Sequence, residues 1–170
     1  MKKLLALVLA LLMLVSVACA EEVSLSWENV AESAASIAGE FKTFEEISVK
    51  IWIPDVLKET ELSDEDKENG FIGYFMTEDQ TAAVAVQYVD MSGMTLEDYQ
   101  ANLAETEGVS GIEAGTVNGL PAVSYEYNGN GVVAFTTEMG YILEVSCGPL
   151  SDEGFAAVAS IVICSIQAAE

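Results

Sequence analysis

The sequence has no histidine and no arginine. Without histidine there is no Ser-His-Asp or Cys-His arrangement, and no imidazole to hold a metal. Lysine is scarce too. Lys2, Lys3, Lys42, Lys50, Lys58 and Lys67 stand against 28 acidic residues, for a formal net charge of −22. Such a chain repels nucleic acid and anionic lipid, and it attracts cations or basic partners. Ser-x-x-Lys, Gly-x-Ser-x-Gly and the Walker A loop are all missing. Gly129-x-Gly131-x-x-Ala134 matches a loose dinucleotide fingerprint. It leads into a strand, so no helix N-terminus is there to hold a pyrophosphate. Beyond the N-terminus, no stretch is long and apolar enough to span a membrane.

Residues 1–20 have the pattern of a secretory signal peptide. Lys2 and Lys3 precede an apolar run from Leu4 to Val15, and Ala18-Cys19-Ala20 fits an A-x-A processing site. This predicts a secreted or extracytoplasmic protein whose mature chain, 21–170, is a single domain. The rival reading is a lipoprotein anchored through Cys19, although Ser16 stands where a lipobox usually has leucine. Losing Lys2 and Lys3 makes the chain two charges more negative. A domain of this length buries roughly 70% of its unfolded surface.

The chain is organised around Ser110 to Cys147, which reads as four antiparallel strands. Two-residue turns are expected at Asn118-Gly119, Gly129-Asn130 and Met139-Gly140. That register puts Glu113, Ser124, Phe135 and Glu144 in one row. Ile112, Val123, Tyr125, Ala134, Leu143 and Val145 then share an apolar face beneath the last helix. Glu113, Glu126 and Glu144 share the opposite, wetter face. Paired carboxylates can do acid–base work or hold a hard cation, but such glutamates more often keep an outer sheet face solvated.

Around this block the periodicity predicts a helix from Trp27 to about Ala38, stopped by Gly39, with Phe41 continuing its apolar stripe. A strand follows over Ile47–Ile53, ended by Pro54. An acidic connection carries a Ser63-capped turn. A hairpin turns around Glu78-Asp79-Gln80. Thr95 and Asp98 open a helix in capping-box style, and Leu96, Tyr99 and Leu103 form its stripe. Ser151 caps a last helix reaching about Ala168, with Phe155, Val158, Ala159, Val162 and Ile166 on its core face. Asp64 to Gly70 hints at a calcium loop, but its glycine is misplaced and Phe75 stands where a bidentate glutamate belongs. Tyr125 and Tyr127 can line a pocket or stay buried with satisfied hydroxyls. Met76, Met91 and Met94 suit an adaptable surface or fill core gaps. Cys147 and Cys164 should point apart and remain free, buried thiols.

The fold class is α+β: a mostly antiparallel sheet of about seven strands with helices packed on it. "ISVKIWIP", "MTLEDY" and "VNGLPAVSYEY" resemble parts of the PsbP-like α/β/α sandwich superfamily. That superfamily includes accessory proteins of the photosynthetic oxygen-evolving complex and a Ran-binding import factor. The resemblance implies a binding or assembly protein and not an enzyme, with no cofactor, and it carries over no functional residue. The expectation is a secreted, non-catalytic binding or accessory protein with a protein or cationic partner. The rivals are a divalent-cation-binding protein and a carboxylate-dependent extracellular hydrolase. Two close glutamates in a cleft would favour the hydrolase.

Overall fold

The computed structural model describes residues 23–89, 93–137 and 140–169. The signal-peptide reading of 1–20, with its alternatives at Ala20 and Cys19, lies outside these residues, as does Met91. In chain order the elements are β1 (Val23–Leu25), a 3-10 turn (Trp27–Asn29), α1 (Ala31–Ala34), β2 (Gly39–Phe44), a second 3-10 turn (Glu45–Ile47), β3 (Val49–Pro54) and β4 (Leu57–Glu59). Then come α2 (Asp64–Glu68), β5 (Phe71–Thr77), β6 (Ala83–Val89), α3 (Leu96–Glu105), β7 (Val109–Val117) and β8 (Leu120–Tyr127). The chain continues with β9 (Asn130–Thr136), β10 (Ile142–Gly148), α4 (Glu153–Cys164) and β11 (Gln167–Ala168).

An eight-stranded sheet runs β1-β7-β8-β9-β10-β6-β5-β4, and a three-stranded sheet runs β11-β3-β2. All pairs are antiparallel except β1 with β7. The α+β class and the mostly antiparallel pairing therefore hold. β3 does not join the main sheet, because β2 and β11 flank it.

Capping accounts for several helix starts. Thr95 and Asp98 form a capping box at α3, and Ser63 and Asp66 form another at α2. Each box satisfies two backbone donors that a helix start leaves unpaired. At α4 the cap is Asp152, one residue beyond the expected Ser151, and its carboxylate accepts from the Gly154 and Phe155 N–H groups. That helix ends at Cys164 and the chain re-enters a strand.

The long helix expected over Trp27–Ala38 is not there. It gives way to a 3-10 turn, one turn of α-helix and β2. Gly39 is no helix stop. A Cβ built on Gly39 would lie 2.5 Å from the Trp52 ring, so only glycine lets β2 cross that ring.

The meander corrects the expected register twice. Asn118 and Gly119 have φ of 47° and 82°, as a type I′ turn requires. The next turn is Asn128-Gly129, φ 51° and 81°, and not Gly129-Asn130. The Asn-Gly-Asn-Gly run offers both, and Asn-Gly is the better I′ pair. Ser124 consequently faces Val133 instead of Phe135. A shift of two keeps every side chain on its face. The third turn does not. Thr137 and Tyr141 bond across residues 138–140, and Gly140 has φ 81°. Three residues replace two, so β10 slips by one and all its side chains change face. Leu143 now pairs with Phe135, and Glu144 with Ala134. A bulge between Ser110 and Glu113, with Gly111 at φ 62°, also shifts the start of β7.

Both faces of the large sheet are therefore covered. Phe135, Val133, Leu143, Val145 and Cys147 pack under α4 and the smaller sheet. Val123, Tyr125, Ala134 and Ile142 pack under α3 through Tyr99 and Leu103, with Ile112 against them, so of the face expected beneath the last helix only Leu143 and Val145 lie there. A third cluster joins Trp52 to Val30, Ala34, Ile161 and Cys164 on the outer side of α4. Cys147 and Cys164 are free, buried and in different clusters. Burial pushes their thiols up, to about 12 and about 11.

Candidate functional site

The three glutamates do not gather. Glu113 and Glu126 lie on the face of the large sheet that α4 covers, not on the face opposite the last helix as expected, while the slip of β10 carries Glu144 to the α3 face. There Glu144 Oε1 accepts from the Tyr99 hydroxyl and from Tyr125 Oη at 3.2 Å. The two phenol oxygens are 3.0 Å apart. Each phenol has one proton, so Tyr125 shares its proton between Tyr99 and Glu144. Burial, reinforced by the Glu144 carboxylate, pushes both phenols far above their ordinary value of 10.0. They remain donors at any physiological pH. The cluster clamps α3 to β8 and β10. Tyr127, expected beside Tyr125, is exposed at the far end of β8. Met94 fills a gap beside α3, where its sulfur accepts from the Asn102 amide at 3.4 Å.

A different place has the shape of a binding site. The 3-10 turn, α1, β2 and β3 enclose a groove of about 420 Å³. Trp52 lies at its inner end, and Trp27 and Phe41 lie beside it. Trp27 meets Phe41 edge-on at 5.2 Å between centroids and lies 6.3 Å from Trp52. These are the only two tryptophans in the sequence. Ala31, Ala34 and Ala35 form the α1 wall, and their small side chains leave the groove open.

Hydrogen bonds fix the main chain at both tryptophans. The Trp52 backbone N–H donates to Ser165 Oγ at 2.8 Å, and Ser165 is fully buried. The Trp27 backbone N–H donates to Asn118 Oδ1 at 2.7 Å. Asn118 Nδ2 in turn donates to the carbonyls of Cys164 and Ile166, each at 2.7 Å. The β7–β8 turn thus ties the groove to the end of α4. Phe41 is 40% exposed. Lys50 Nζ lies 5.8 Å from its centroid. Glu40 is the one charged side chain lining the groove.

β2 is an outer strand of the smaller sheet, and among the described residues no strand pairs with its free edge. Gly39, Glu40, Phe41 and Thr43 along it are exposed. Sequence reasoning placed Trp27 and Phe41 on one helical face. They are neighbours, but across a turn and a strand. Trp52 falls within the expected strand Ile47–Ile53. The usable signal was that both tryptophans and an adjacent phenylalanine fall within one short segment.

No family model matches the chain, and no curated protein sequence matches it. Solved structures do. The solution structure of cyanobacterial PsbP (CyanoP) from Synechocystis sp. PCC 6803 superimposes with a TM-score of 0.52 at 12% identity, covering 78% of this chain and 93% of that one. The Saccharomyces cerevisiae Ran-binding protein Mog1p matches at a TM-score of 0.39 and 12% identity, over 76% of this chain and 87% of that one, too weakly to carry an argument. At such identity the first likeness concerns architecture alone. The chain has a PsbP-like α/β/α fold.

Proposed function

We propose that this is an extracytoplasmic, non-catalytic binding or accessory protein that takes its partner in the Trp27–Phe41–Trp52 groove. The observation that carries the reading is the convergence of both tryptophans and an exposed phenylalanine on one concavity beside an open strand edge. Aromatic rings are the side chains that most often anchor an interface, because they bury large area at low entropic cost. The hydrolase rival asks for two close carboxylates, but Glu144 is across the sheet from Glu113 and Glu126 and is engaged by two phenols. The cation rival asks for the same three glutamates on one face, and its weaker candidate, Asp64 to Gly70, has Asp66 serving the capping box of α2.

Site-specific cross-linking in exporting cells tests the proposal. A photoreactive phenylalanine analogue at position 41 should yield a discrete adduct. The same group at exposed Glu97, on α3, should not. Equal labelling from both positions would reject the groove. Export is tested by intact mass. The expected chain begins at Glu21, and a diacylglycerol on Cys19 would replace simple secretion with lipid anchoring.

A further inference from the structure

We infer that the occupant of the groove is an extended, cationic segment of polypeptide that adds as a strand to the free edge of β2 and lays one apolar side chain into the groove, against the Trp27–Phe41 pair and the alanine wall. This rests on the binding reading above and specifies the partner's chemistry. Three observations lead to it.

The first is the coincidence of groove and edge. Gly39, Glu40 and Phe41 line the groove and also belong to β2. An outer strand leaves half of its backbone N–H and C=O groups without a ladder partner. An extended peptide satisfies them with its own main chain, and its alternate side chains fall into a neighbouring pocket.

The second is the lining itself. Apart from Glu40, the groove offers rings, alanines, Ile37 and a glycine. A sugar ring would stack on the aromatics but would lose water from several hydroxyls with one carboxylate to replace it. An apolar side chain has no such requirement.

The third is charge. At −22 the chain repels a second copy of itself, which argues against β2 pairing with β2. Glu40 lies on the groove, and Asp55 is held beside it by its N–H bond to the Ala38 carbonyl at 2.8 Å. Exposed Glu28 and Glu32 sit on the segment that forms the opposite wall. Lys50 holds its ammonium near the Phe41 ring and Lys42 is paired with Glu59, so it is the Gly39 end of the groove alone that favours a cation. A lysine or arginine flanking the buried apolar residue therefore finds carboxylates at the Gly39 end.

Tryptophan emission reports on this site alone, because both tryptophans border it. The probe is an acetylated, amidated hexapeptide of alternating lysine and apolar residues. It should shift the emission saturably and bind more weakly as salt rises. Two versions N-methylated on alternate peptide nitrogens, one for each register, keep charge and side chains but block one edge each. One of them should bind at least about tenfold more weakly, since only the edge facing β2 must donate. Phe41→Ala and Glu40→Lys should each weaken binding by about tenfold or more.

If both methylated peptides bind within about twofold of the parent while Phe41→Ala still abolishes binding, strand addition is wrong and the groove reading survives. If a neutral glucan hexasaccharide shifts the emission and the peptide does not, the occupant is a sugar and the proposal falls, again without the groove. If Phe41→Ala leaves peptide binding unchanged, the groove and its occupant fall together. Absence of a saturable shift up to about 1 mM peptide overturns the proposal, because a site with a Kd of about 0.1 mM is about nine-tenths filled there.

Discussion

Asn118 occupies the first central position of the β7–β8 turn, with φ 47°. Its place in a tight turn was readable from the Asn-Gly pair. Its larger task was not, because its side chain bonds reach Trp27, Cys164 and Ile166, far away in sequence. Asn118→Gly separates the two roles. Glycine tolerates the turn conformation, so what is lost is the set of side-chain bonds. The substitution should cost about 2–4 kcal/mol in urea melts and should alter tryptophan emission. Asn128→Gly, in the equivalent turn, should change stability by about 0.5 kcal/mol or less. Equal costs at the two positions would mean that the junction contributes nothing. The groove residues show the same limit. A tryptophan in sequence reads as core, and only the packing around Trp27 and Phe41 shows them lining an opening.

The clamp under α3 follows from a single loop. With two residues between β9 and β10, Glu144 would share the face of Phe135 beneath α4, away from both phenols. With three, it accepts from Tyr99 and Tyr125 beneath a helix. Glu144→Ala leaves two largely buried hydroxyls with only each other, and should cost about 1–3 kcal/mol. Leu143→Ala should still cost about 2–5 kcal/mol, since Leu143 is fully buried whichever face it takes. A silent Glu144→Ala would restore the solvated reading. The clamp also has a pH signature. Its phenols have folded-state values raised above 10.0, and the two buried thiols are raised above 9.0. A raised acid contributes stability fully below its unfolded value and loses it as pH climbs toward the folded value. The protein should therefore lose stability from about pH 9 upward, and Tyr99→Phe should flatten the part above about pH 10. An unchanged alkaline slope in Tyr99→Phe would remove Tyr99 from the account. Capping boxes at Ser63 and Thr95 were legible because all their atoms lie within one helical turn. The β9–β10 loop was not, because Met-Gly specifies no loop length and both registers bury apolar side chains.

The whole molecule carries −22 with one lysine–carboxylate pair, Lys42–Glu59, among the described residues. Self-repulsion then weighs against the compact state, and salt relieves it. Going from about 10 mM to about 150 mM ionic strength shortens the Debye length from about 30 Å to about 8 Å. The urea midpoint should rise over that range. A fall would mean that attractive pairs outweigh the repulsion. Some properties needed only the sequence. Composition set the charge and removed histidine chemistry, and alternation with Asn-Gly and capping signals marked most strands and two helices. These are local or additive properties, and they survive an error in any one contact. Tertiary structure decided the rest. It moved β3 into a second sheet, turned β10 over, dispersed the glutamates and gathered Trp27, Phe41 and Trp52. Each outcome depends on contacts between segments distant in the chain, whose energies decide between registers that local pattern leaves nearly equal.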